Sequence, residues 1–381
     1  MLGDKHKMFL RNVSYIGRKI GSTFDDVIDD WRVSKLTSGI GILDNVVRRM
    51  TLQQRSPFPM LISGSGGLSV LVGSELVTLL RPRYNAYLFG LCHKDGFIYV
   101  TLLFHLGVAR SGAGNTNGRM SAIVRIPDES IQAACRGDSD VVDYCIDVIE
   151  PGESFSYINV YNNELFAASY LGHVKKFQFS NSGQVVHGGN GNLIISKSIF
   201  GDDLFFYPYY HLNSVSINNG YVYVGAHMYT KKTNINSKLY RLGLDGSDPI
   251  LFRDTKFISA HDMMISQGKF VGCDSGNGAF YVGEDCLCAR GGFSRGVSIS
   301  CNGYFIGYST YNKTRVRRRR LTEDNGVAIM DTSGDIVDFI KLPLPTIYNI
   351  YAINVEEETQ SQLDALNIDI VRQKQRLSHE S

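Results

Sequence analysis

The sequence predicts an all-β chain folded as a six-bladed β-propeller with short helical N- and C-terminal extensions. Three observations carry that prediction. Thirty-nine Gly, 21 Tyr and 20 Phe stand against nine Pro and one Trp, a composition that suits many short strands and tight turns. From about residue 60, apolar or alternating runs of strand length recur between clusters of Gly, Asn and Asp. One unit also repeats: the run from Asn213 to Gly225 (NSVSINNGYVYVG) matches Asp262 to Gly272 (DMMISQGKFVG) and Gly296 to Gly307 (GVSISCNGYFIG). Weaker copies run from Tyr87 to Val100 and from Tyr157 to Ala168.

In chain order, residues 1–55 differ from the rest. Phe24, Val27, Ile28 and Trp31 fall at helical spacing among acidic residues, which predicts an amphipathic helix capped by Ser22 or Thr23. A second helix is expected over residues 40–50, and Pro57 and Pro59 mark a boundary. The propeller is expected to span 56–355. Its turn positions at 96, 164, 220, 268 and 303 lie 68, 56, 48 and 35 residues apart, and the shorter spacings suit one four-stranded sheet each. Outer hairpins are expected around Asn181-Ser-Gly183, Asp245-Gly246 and Thr332-Ser-Gly334. A sixth sheet would combine Met60–Ser65, Leu68–Gly73 and Glu75–Leu80 with Tyr348–Val355, so that the C-terminal strand closes the ring. Residues 356–381 form a helical or frayed tail, with Leu363, Leu366, Ile370 and Val371 at roughly helical spacing. A β-sandwich with a small second domain is the competing architecture, and the repeat over 213–310 argues against it.

Lys plus Arg number 39 against 37 Asp plus Glu, a net charge of +2. That balance argues against a chain built mainly to grip nucleic acid or an anionic membrane. The N-terminal residues are too polar for a signal peptide, and no run approaches the ~18 apolar residues of a membrane span. A cytoplasmic location is therefore expected. The seven cysteines have no regular spacing, which fits reduced structural thiols. Gly64-Ser-Gly-Gly67 and the Gly-rich run 112–118 lack the lysine and the strand–loop–helix setting of a phosphate loop. Arg315–Arg320 is the one dense basic cluster, expected between the second and third strands of the last blade.

In a propeller the innermost strands line a central channel, so residues at their starts gather at one mouth. Asn213 and His261 each lie seven residues before a turn glycine and Arg295 lies eight before Gly303. His211 should lie one pleat further out, with Tyr348 and Asn349 as neighbours on the closing strand. Two imidazoles, an amide and a guanidinium suit a small anion, a sugar or a divalent metal ion. His261 and Arg295 are the candidate catalytic residues, since imidazole titrates near neutrality. His211, Asn213, Asp274 and Tyr348 are the candidate ligand-binding residues, and His211 with His261 the candidate metal ligands. Satisfaction of backbone groups or buried water inside the channel explains the same residues equally well. His173 and His227 are expected to be structural.

The stretch from His211 to Ser214, His261, the loop Asp274-Ser-Gly-Asn-Gly-Ala-Phe280, Arg295-Gly-Val297, and the runs 326–337 and 347–353 resemble, in order, an uncharacterised bacterial propeller-like family of conserved hypothetical proteins with a His-x-Asn-Gly-type motif. Ser214 stands where that motif has Gly. More remotely, Asn213 and Asp274 look like channel ligands of the gluconolactonase and strictosidine-synthase-like six-bladed superfamily, whose lactonases bind a divalent ion. The first resemblance implies a propeller and brings no established activity. The mouth residues themselves are expected to bind a small polar ligand, such as a sugar or lactone, with metal-assisted hydrolysis or lysis as the enzymatic version of that reading. The alternative is a non-catalytic scaffold that holds a protein partner or anionic polymer through the rim and the Arg315–Arg320 loop.

Overall fold

Six sheets of four or more antiparallel strands follow one another around a ring in the computed structural model. It describes residues 42–83, 86–105, 119–187, 193–195, 210–228, 236–300, 303–310 and 325–353. The first blade takes Met60–Gly64, Gly67–Val72 and Glu75–Pro82 from the front of the chain and Ile347–Ala352 from the back. Ile347–Ala352 is its innermost strand and pairs antiparallel with Met60–Gly64. The other five innermost strands are Tyr87–Lys94, Phe155–Tyr161, Tyr210–Asn218, His261–Ser266 and Phe293–Ser300. Each packs beside the next, and the circle closes from Ile347–Ala352 back to Tyr87–Lys94. The six-bladed propeller expected from the repeat is therefore the fold, with the ring sealed by the C-terminal strand.

The apolar core is divided into wedges between neighbouring blades. Strand Tyr221–Met228 shows how the period of two produces this. Val222, Val224 and Ala226 pack with Tyr157, Phe166 and Val174 of the third blade, while Tyr223 packs with Met263 and Phe270 of the fifth. Both sheet faces are buried, so the second strands read as nearly continuous apolar runs. Leu71, Ile350 and Ile347 meet Phe305 and Ile329 between the first and last blades, which makes the closure apolar as well as hydrogen-bonded.

Two expectations need correction. Glu164 and Gly303, expected at turns, instead open the second strands of their blades. Within the described part of residues 40–50 no helix forms: Arg48–Thr51 is a strand pairing with Glu75–Thr78. The edge of that blade offers a row of backbone partners, and Arg49 reaches the carbonyls of Ala134 and Cys135. Those carbonyls end a helix the sequence reading missed, Asp128–Arg136 in the second blade. Asp128 and Glu129 sit in its first turn, Arg136 in its last, and Gly137 follows in the left-handed conformation, the usual charge and capping pattern. The expected helix around Trp31, the tail beyond 353 and Arg315–Arg320 lie outside the described residues. Among the described residues no helix is long and apolar enough to cross a membrane.

Candidate functional site

Every innermost strand carries a β-bulge soon after it begins. Pairing with the second strand skips Phe89 and Gly90, Ser156, Asn213, Asp262 and Met263, Arg295 and Gly296, and Tyr348. A bulge takes a residue out of the ladder and re-aims its side chain. The space it needs comes from small residues across the sheet. A Cβ on Gly225 would collide with Ser214 Oγ and Met263, and one on Gly307 with the carbonyl of Arg295. The repeated glycine at the end of each sequence unit thus makes room for the bulge.

Arg295 is the hub of the converged residues. From the sixth blade its guanidinium reaches partners on three others. Nε donates to Tyr157 Oη at 3.2 Å and Nη2 to Tyr170 Oη at 3.0 Å. The charge also lies 4.8 Å from the ring centre of Tyr348 and 5.5 Å from that of Phe89, within cation–π range. Phe89 and Tyr348 stack on each other at 4.3 Å, and Tyr170 meets Phe89 edge-on at 5.6 Å. Asp262, held at a φ of 53°, accepts the Gly296 N–H at 2.8 Å and the Tyr157 hydroxyl at 3.4 Å. Burial pushes its carboxyl up to about 6, against those hydrogen bonds and the Arg295 charge.

Beside this hub stands a row of three imidazoles. The His211 ring is 4.0 Å from that of Tyr170 and 4.7 Å from that of His227, which lies 6.3 Å from His261. Their protonation follows from their partners. Asn213 Nδ2 donates to the Ala260 carbonyl at 2.7 Å, which fixes the amide orientation, and also to His227 Nδ1. His227 Nδ1 is therefore an acceptor, and burial, then the Arg295 charge, lowers its pKa to about 4. His261 differs: its Nδ1 lies 2.8 Å from the Ser259 carbonyl and must donate to it. Asn213 Oδ1 is buried with no hydrogen-bond partner among the described residues.

The sequence-predicted residues His211, Asn213, His261, Arg295 and Tyr348 share this cluster. Asp274 does not join its hydrogen bonds: it accepts from the Ile258 backbone at 2.8 Å and from Asn277 at 2.7 Å and so holds its own loop. Phe89, Tyr157, Tyr170 and Asp262 were missed, and His227, expected to be structural only, stands between the other two histidines. Asp262 is the bulge counterpart of Asn213 and Arg295, a correspondence that counting back from the turns placed one residue away, on His261. The small residue four or five positions after each turn was the available signal.

The expected metal does not fit these side chains. Among the described residues no three His, Cys, Asp or Glu side chains are grouped to hold an ion. His227 Nδ1 is occupied by Asn213, and the fixed charge of Arg295 opposes a second cation.

Beyond the cluster the axis opens into a cavity of about 350 Å³ lined by all six innermost strands, from Tyr157 and Asp262 to His93, Ser266 and Tyr351. Innermost strands pair on one side only, so backbone polar groups line this channel as much as side chains do.

No protein-family model and no curated protein matches the chain in sequence. Structural similarity is found to the nidogen/laminin complex, at TM-score 0.52 and 11% identity over 77% of this chain and 98% of the other. A candidate 6-phosphogluconolactonase from Bacteroides fragilis is similar at TM-score 0.42 and 13% identity, over 75% of this chain and 82% of the other. The first likeness shows the propeller fold and nothing finer.

Proposed function

We propose that the protein binds a small polar molecule at the mouth where the innermost strands begin, among His211, Asn213, His261, Arg295 and Tyr348. The observation that carries this reading is the buried Asn213 Oδ1, which has no hydrogen-bond partner among the described residues although the Nδ2 of the same amide is held by Ala260 and His227. A buried acceptor left unmade costs about 1–3 kcal/mol, and a ligand hydroxyl or amide recovers it. Half-buried His211 and Tyr170 form the approach. In a catalytic version His261 accepts a proton at Nε2 and Arg295 stabilises developing negative charge. The fold does not choose between catalysis and binding, since propellers host both. Thermal-shift and calorimetric screening of small polyols, sugars and acids tests the reading. Binding that is lost in Asn213→Ala and His211→Ala supports it, and a ligand whose affinity ignores both overturns it.

A second reading, a scaffold for a protein partner, draws on a different surface. The outer strand of the fourth blade, Ile250–Asp254, exposes Ile250, Leu251 and Phe252 in a row, an edge suited to strand addition. Leu251→Lys and a deletion of residues 315–320 test it by the partners each variant retains.

A further inference from the structure

Arg295 is a buried cation with no carboxylate bonded to it directly: the buried Asp262 reaches it only through the Tyr157 hydroxyl. Only 4% of its surface is exposed, and it makes no ion pair among the described residues. Its partners are two phenol oxygens and the faces of aromatic rings. Nε and Nη2 are used, and among the described residues no hydrogen bond engages Nη1. The carboxylate nearest along the hydrogen-bond path, Asp262, is engaged by the Gly296 N–H and the Tyr157 hydroxyl. His227 accepts at Nδ1 and adds no positive charge. A guanidinium is hard to bury uncompensated and is shaped to take planar or tetrahedral oxyanions. In the same cluster Asn213 Oδ1 asks for a donor. The two demands are complementary: one needs an acceptor with negative charge, the other a hydroxyl or amide N–H.

We infer that the molecule bound at this mouth is a small organic anion, its carboxylate or phosphate on Arg295 and a hydroxyl or amide of the same molecule on Asn213. The inference rests on the reading of the mouth as a ligand site and adds the charge class of the ligand. The aromatic walls of Phe89, Tyr170 and Tyr348 supply apolar contact around the acid group and keep its charge poorly hydrated, which strengthens the pairing with Arg295.

The test is isothermal titration of the full chain with acids and their neutral twins: glycerate against glycerol, gluconate against sorbitol, and glucose 6-phosphate against glucose. At least one acid is expected to bind about tenfold or more tightly than its twin. That preference should vanish in Arg295→Gln and return in part in Arg295→Lys. The wild-type comparison stands even if Arg295→Gln does not fold. Equal binding of an acid and its twin overturns the anionic class and leaves the small-ligand reading intact. Absence of binding by any member of the three pairs overturns both.

Discussion

Asp262 and His227 are buried beside the same guanidinium and are shifted in opposite senses, with consequences for stability that oppose each other. Asp262 titrates at about 6 in the folded protein against 3.8 for a free carboxyl. Between those values the native state keeps a proton the unfolded chain has lost. Its contribution therefore falls as pH rises through the window, by about 3 kcal/mol. His227 titrates at about 4 against 6.5. Its contribution is full above 6.5 and is lost as pH falls towards 4, by a similar amount of about 3 kcal/mol. The two slopes offset one another in the wild type. Asp262→Asn keeps an acceptor for Gly296 and tolerates the left-handed backbone, so it should unmask a loss of stability below pH 6.5. His227→Gln should unmask the reverse, a loss as pH rises from 4 to 6. Urea unfolding across pH 4–7, each variant read against wild type, checks both, and parallel profiles would contradict the assignment. A separate charge cluster lies between the second and third blades, where Lys175 bridges Glu150 at 2.6 Å and Glu153 at 3.2 Å. Both carboxylates are buried, so Lys175→Met should cost about 3 kcal/mol, seen as a lowered urea midpoint that Lys175→Arg largely restores.

At the scale of the strand, the bulges decide which side chains meet. Gly225→Ala should destabilise by about 1–3 kcal/mol, because the added methyl meets Ser214 and Met263. The same change at Gly220, a turn glycine with open space around its Cβ position, should act through its positive φ alone, at about 1 kcal/mol. Chemical denaturation of the two variants separates the mechanisms, and a ligand titration should be perturbed by the first only. This level is also where the sequence stopped being legible. The six blades, the turns at Gly96, Gly220 and Gly268, and the pairing of Met60–Gly64 with a C-terminal strand could be read because each follows from local patterning. Asp262, Phe89 and Tyr157 could not be placed at the mouth because period-two counting assumes an unbroken pleat. Each bulge, at Asn213, at Asp262–Met263 and at Arg295–Gly296, adds one residue to its strand relative to the partner and so reverses the alternation across it. Tyr170 and His227 lie at or beyond the ends of second strands, and only the closed ring brings them to residues of the innermost ones.

For the whole molecule, the ring is closed by one six-residue strand, Ile347–Ala352. It completes the first blade, packs its apolar side against the last, and places Tyr348 on Phe89. A chain ending at Pro345 should therefore lose the site and cooperative folding together, leaving Met60–Gly64 as an exposed apolar edge. Circular dichroism melting and light scattering check this, and a wild-type transition from the truncated chain would contradict the closure. That same closure lets a guanidinium from the sixth blade touch the third without any carboxylate between them. The most direct test of what that arrangement is for is an experimental structure of the protein soaked with the acid that wins the twin comparison. The expected result is an acid oxygen on Arg295 Nη1 and a ligand donor on Asn213 Oδ1. An acid found instead in the channel beyond Asp262, or on the outer rim with Arg295 and Asn213 untouched, would contradict the account.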